Sequence, residues 1–185
     1  MPPAGLLLLF NSGTYLDFLT WQQQRAILMI YFTGTTILPL TTIPMLMLHK
    51  MATDLRMEKH SERVVPLMIT VIFYGFTWYM LFRLNVPGLI TIYSLTATLA
   101  VFIVALISIK WKISLHMTAL GALAGTLLAV ALRFNVNLQL FMSIIFIFGG
   151  LAGWARLSLK AHTPSQVYAG YIMGLALAFI MIYNH

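Results

Sequence analysis

The sequence predicts an all-α integral membrane protein, a six-transmembrane-helix bundle with an N-terminal interfacial segment. Three observations carry that expectation. Hydrophobic residues make up 61% of the chain and charged residues only 8%, against about 25% charged in an ordinary soluble domain, so there is too little charge to clothe a water-facing surface. Charge-free apolar runs recur at the length a bilayer demands, about 17–25 residues for a spanning helix. The cations fall between the runs rather than inside them, and mostly in alternate loops.

Residues 1–25 open the chain. They contain the short run Leu6–Phe10, then Asn11, Gly13 and Asp17. The segment is too broken to span, so an amphipathic stretch lying at the interface is expected, with Tyr15 and Trp21 suited to headgroup depth. Spans are expected at about 26–48, 64–82, 86–109, 115–132, 138–154 and 166–183. Pro39 and Pro44 should bend the first. The fifth is short and should run on past Trp154. Pro87 and Pro164 stand near helix starts, where a missing N–H does no harm. Gly121 and Gly125, Gly149 and Gly153, and Gly170 and Gly174 are each four apart. That spacing allows close helix contact and predicts a tight core of the last three spans. No repeat or linker divides the chain, so one domain covering 1–185 is expected.

The loops after the odd-numbered spans, 49–63, 110–114 and 155–165, must emerge on one side. They hold Lys50, Arg56, Lys59, Arg63, Lys110, Lys112, Arg156 and Lys160, and the opposite side has only Arg25, Arg83 and Arg133. Anionic headgroups are the expected partners of such a surface, together with the bilayer itself, and no nucleic acid. Cysteine is absent, which excludes disulfides, Fe–S clusters and thiolate metal sites.

The same loops carry the residues able to do chemistry. Arg156 and His162 flank the break between the fifth and sixth spans. Thr163, Pro164 and Gln166 read as a helix start: N-cap, first turn and the closing position of a capping box. A helix N-terminus favours an anion, and a guanidinium binds phosphate oxygens in bidentate fashion. Lys112, Ser114 and His116 offer an ammonium, a hydroxyl and an imidazole at the start of the fourth span. Arg56 and Arg63, about two helical turns apart, share a face if the first loop is helical.

Arg156, five residues, His162, three residues and Gln166 together resemble the third signature of the type 2 phosphatidic acid phosphatase superfamily, which runs Ser-Arg, five residues, His, three residues, Asp. Ser114-Leu115-His116 is similar to its second signature, Pro-Ser-Gly-His. Arg56, six residues and Arg63, with Pro66 beyond, resemble its first, Lys, six residues, Arg-Pro. The resemblance implies a membrane lipid phosphate phosphatase that hydrolyses a phosphomonoester or pyrophosphate headgroup through a phosphohistidine. His162 would be the nucleophile and His116 the acid and then the base. Gln166 would orient His162, while Arg156, Ser114, Lys112, Arg63 and Arg56 hold the phosphoryl oxygens. No metal or other cofactor is implied, and the partner is a phosphorylated membrane lipid.

The departures are specific. Ala155 replaces the family Ser, Ile113 its Pro, Leu115 its Gly, and Pro66 lies two residues late. Gln166 replaces the Asp that orients the nucleophile, so a neutral amide stands where the family has a carboxylate. Asp54, Glu58 and Glu62 lie in a loop of the same side. A second function class therefore stands beside the enzyme: a non-catalytic module or complex subunit that binds anionic lipid through a degenerate site. The positive-inside rule would turn the cation-rich loops to the cytoplasm. The resemblance implies instead a bacterial inner membrane with those loops facing the periplasm.

Overall fold

The computed structural model describes residues 2–48 and 60–185, with the side chains of 43, 45–48 and 60–63 outside the description. The described residues are helical with no strand. Eight α-helices follow in order: α1 (Pro2–Phe10), α2 (Trp21–Phe32), α3 (Leu38–Leu48), α4 (His60–Arg83), α5 (Gly88–Ser108), α6 (Leu115–Phe134), α7 (Gln139–Ser158) and α8 (Pro164–Tyr183). The helices α4 to α8 contain five segments long and apolar enough to cross a membrane. Their outward side chains include Ile72, Phe76, Phe146, Phe148, Trp154 and Ile172, all exposed. So broad an apolar surface is a liability in water and the expected surface in lipid.

The second to sixth expected spans overlap α4 to α8. Pro87 precedes the first residue of α5, Pro164 opens α8, and α7 continues past Trp154 to Ser158. Asn85 and Asn135 turn the chain after α4 and α6 in the left-handed region, each with φ 51°, which Asn tolerates better than most residues. The expected first span is helical from Trp21 to Leu48 but not uniform. A π-turn over Thr33–Ile37 separates α2 from α3, and the N–H of Leu38 closes it onto the carbonyl of Thr33. Pro39 follows at once and brings no N–H for the carbonyl four residues back, so the widened turn accommodates it. Within the turn Gly34 abuts the Thr77 hydroxyl of α4.

The expectation for the first residues is corrected. The helix α1 does not lie along a surface: Leu6 and Leu9 are fully buried and Phe10 nearly so. They pack in the main core with Tyr93, Leu123 and Leu127 of α5 and α6. The Tyr93 hydroxyl donates to the Pro2 carbonyl at 2.8 Å, so α1 enters the bundle rather than covering its rim. The physical reason is its composition: four leucines and a phenylalanine leave no polar face to keep in water. The following turn does meet solvent or headgroups, with Phe18 90% and Trp21 71% exposed. Tyr15 ties it to the bundle, its hydroxyl accepting the Leu89 N–H at 2.9 Å.

The centre of the bundle is α6, the most buried of the five, and its closest neighbour is α8. A methyl group on Gly121 would overlap the Tyr171 carbonyl oxygen, and one on Gly125 the Leu175 carbonyl oxygen. On the other side, one on Gly174 would overlap the Thr118 carbonyl oxygen, and one on Gly170 would come within 2.8 Å of that of Ser114. The two backbones thus touch along four glycines, two from each helix. At the opposite end from the loops of interest, Arg133 of α6 donates to the Ile182 and Tyr183 carbonyls of α8 at 3.1 and 2.9 Å. By contrast Gly149 and Gly153 of α7 meet only side chains, at ordinary contact distances. The close packing expected of the last three spans is therefore concentrated in one helix pair.

That contact predicts an asymmetry among glycines. Gly125→Leu should lower stability by about 1–3 kcal/mol or more through overpacking. Gly150→Leu, where an added Cβ meets nothing within 4 Å, should change it by no more than about 0.5 kcal/mol. Thermal unfolding of the two purified variants in detergent checks this; equal losses would refute it.

Candidate active site

The loop before α6 is pinned by Ile113, its buried apolar residue. After α5 the chain turns, with the Trp111 N–H donating to the Ile107 carbonyl at 2.8 Å. Ile113 then buries itself with Leu67 of α4 and Val104 and Ala105 of α5. The chain direction is therefore fixed before Ser114. The Ser114 N–H donates to the Gln166 carbonyl at 3.3 Å, and its own carbonyl accepts from the Thr118 N–H and hydroxyl. Its hydroxyl is fully buried and has no hydrogen-bond partner among the described residues. Lys112 is half-buried, and His116, the second residue of α6, is exposed on the wall of a cavity between α5 and α6.

The end of α7 is set by backbone geometry. Lys160 takes φ 49°, its N–H donates to the Leu157 carbonyl at 2.9 Å, and the Ala161 N–H donates to the Arg156 carbonyl at 3.1 Å. This pair of bonds is the Schellman arrangement, here with Lys rather than Gly in the left-handed position. It stops the helix one turn after Arg156 and delivers the chain directly to His162.

His162 and the start of α8 form one hydrogen-bonded unit. The Gln166 side-chain oxygen accepts the Thr163 N–H at 3.1 Å and lies 3.1 Å from His162 Nδ1. A backbone N–H can only donate, so the amide oxygen is the atom turned this way, and the ring nitrogen facing the same oxygen must donate as well. In a neutral ring that places the proton on Nδ1 and the lone pair on Nε2. Gln166 serves two donors with one oxygen: it closes the helix start and accepts from the His162 ring.

Three helix ends meet here. Beside Gly153 of α7, one turn before Arg156, lie Met117 of α6 and Val167 of α8. Met117 follows His116, and Val167 follows Gln166. The structure thus brings Lys112, Ser114, His116, Arg156, His162 and Gln166 to one end of the bundle on adjoining helix termini. Arg56 and the Arg63 side chain lie outside the described residues, as do Asp54, Glu58 and the Glu62 side chain. Leu67, one turn beyond Arg63, shares the Ile113 cluster, so the first part of α4 stands beside the α5–α6 loop. Among the described residues the only carboxylate side chain is Asp17, far away in the turn before α2. Of the opposite cations, Arg133 is engaged by α8, and Arg25 lies 5.9 Å from the centre of the Trp21 ring.

Sequence reasoning missed the cavity that reaches His116, about 240 Å³ in volume. The signal present was a set of alanines, Ala97 and Ala100 on α5 and Ala119 and Ala122 on α6, which leave room between two helices. Nothing in a linear reading told which of them face each other.

No curated protein and no solved structure matches this chain. A family model described as the PAP2 superfamily matches residues 110–185, a stretch that begins two residues before Lys112 and takes in Ser114, His116, Arg156, His162 and Gln166. That match takes in the last three helices and the two loops that carry these residues, less than half of the chain, and over this stretch the chain is similar to the PAP2 superfamily.

Proposed function

We propose that the protein is a membrane lipid phosphate phosphatase working through a phosphohistidine, with the chain acting as one domain of six spans, the sixth being the helix α2–α3 with its π-turn. The observation that carries the reading is the His162–Gln166–Thr163 unit, which holds the His162 ring by its Nδ1 at a helix start adjoining the end of α7 and the His116 helix. In this reading His162 Nε2 attacks phosphorus and the bond to the lipid oxygen breaks. His116 gives that oxygen its proton, then takes one from the water that attacks the phosphohistidine and releases phosphate. Arg156 and Lys112 hold the phosphoryl oxygens, joined by Arg63 and Arg56 from the first loop. The Ser114 hydroxyl, buried and without a partner among the described residues, would be satisfied by one of those oxygens. Phosphoryl transfer depends mainly on positioning and charge stabilisation, and a cluster of cations supplies both.

One observation favours a second reading, a lipid-binding module without turnover. The ring becomes cationic when Nε2 is phosphorylated while Nδ1 keeps its proton, and the neutral Gln166 amide stabilises that cation less than a carboxylate would.

Phosphate release from phospholipid monophosphates and polyprenyl pyrophosphates in mixed micelles tests the choice. Release by the wild type, abolished by His162→Ala, supports the phosphatase; binding without release from any of them supports the module. Two substitutions at Gln166 probe the orienting role. Gln166→Leu should cost about 10²–10⁴ in rate, because the ring loses its tautomer-fixing acceptor. Gln166→Asp should restore a charged acceptor and raise the rate about fivefold to tenfold. A leucine variant as fast as the wild type would exclude orientation by Gln166.

We further propose a periplasmic site in a bacterial inner membrane. The chain has no cysteine, so His60→Cys gives a single reactive thiol. A membrane-impermeant maleimide should label it in intact cells; labelling only after lysis would turn the site to the cytoplasm.

A further inference from the structure

The cavity that begins at His116 does not end at the site. It runs down between α5 and α6 as far as Tyr93, Leu123 and Thr126, where Pro2 closes it. Residue numbers along α6 from His116 to Thr126 and a rise of about 1.5 Å per residue give a depth of about 15 Å, half the ~30 Å hydrocarbon core of a bilayer. That is the reach of a lipid tail in one leaflet, measured from a headgroup held at His116.

Its wall is apolar even where the residues are not. The hydroxyls of Thr96, Thr118 and Thr126 each donate to a carbonyl of their own helix, at 2.8, 3.1 and 2.8 Å. The Tyr93 hydroxyl is held by the Pro2 carbonyl. The volume of 240 Å³ takes about eight groups of water's size at ~30 Å³ each, the greater part of one twelve-carbon tail, and leaves no room for a second.

The floor is a built feature. At Gly5 the helix α1 approaches Tyr93 so closely that an added methyl would overlap the phenol oxygen, and Leu6 and Leu9 anchor it in the core. Pro2 and Tyr74 also line a second recess on the far side, among Thr35, Pro39 and Thr70. The tip of α1 is therefore a partition between two spaces.

We propose that this cavity holds one hydrocarbon tail of the phosphorylated substrate and that α1, fixed by the bond from Tyr93 to Pro2, is the stop that limits how far the tail reaches. The proposal takes its polar end from the phosphatase reading, but the tail site is testable without turnover. Hexyl and dodecyl phosphonates carrying a terminal diazirine, photolysed with the purified full chain, report by peptide mass spectrometry where each tail ends. The hexyl probe should label α6 around Ala119 and Ala122, and the dodecyl probe should label α1 or Tyr93. Labelling of the same residues by both lengths, or confined to outward side chains such as Phe146, would overturn the proposal.

Two variants refine the test. Ala122→Phe fills the cavity and should cut dodecyl labelling of α1 about tenfold or more. Tyr93→Phe keeps the packing, removes the bond to Pro2, and should let the dodecyl probe reach Thr35 and Thr70; an unchanged pattern refutes the stop. Length-dependent labelling without phosphate release from any lipid keeps the tail site and removes the phosphatase. Release with labels only on outer faces does the reverse.

Discussion

The backbone contact between α6 and α8 is the constraint on which the site depends. Lipid tails are as apolar as leucine, so helices in a membrane are held by close packing rather than by exclusion from water. Here that packing is reciprocal: Gly121 and Gly125 receive α8, and Gly170 and Gly174 receive α6. The last of these contacts, Gly170 against the Ser114 carbonyl, lies at the loop end of the pair. There the Ser114 N–H meets the Gln166 carbonyl. His116 and His162 therefore begin adjoining helices whose separation is set by glycine rather than by flexible side chains. Arg133 secures the same pair at its other end.

The chemistry follows from where hydrogen-bond donors are forced to point. A single amide oxygen receives both the Thr163 N–H and His162 Nδ1. A helix start supplies the first donor whatever the function, and its presence dictates the second. Compared with the Asp of the signature that this stretch resembles, Gln166 still offers the ring an acceptor oxygen and carries no charge.

Much of this was legible in the sequence because membrane helices are long and uninterrupted. Run lengths located α4 to α8, and the proline positions located two of their starts. The break between α7 and α8 was legible because a helix start carries local signals, here Thr163 with Gln166. The Schellman turn was less visible, since Lys160 occupies a position where Gly is usual. The course of α1 was misread for a definite reason. Leu6–Phe10 is too short to span, and a short apolar segment was referred to the surface. Whether it turns inward depends on the packing surface offered by Tyr93, Leu123 and Leu127, a tertiary property with no periodic trace. The Tyr93 to Pro2 bond joins residues far apart in sequence and was equally hidden.

The π-turn at Thr33–Ile37 has a consequence for the helix that contains it. One additional residue in a turn rotates everything beyond it by about 100° relative to an unbroken helix. Before the turn Ile27 and Tyr31 look into the core, with Tyr31 6.0 Å from the Tyr93 ring. After it Pro39 and Thr42 border the recess shared with α4. A single rod is thereby indexed to two different neighbours along its length. Excising one residue between Thr33 and Ile37 would leave both halves helical and turn the upper half about a quarter revolution, trading one docking azimuth for another.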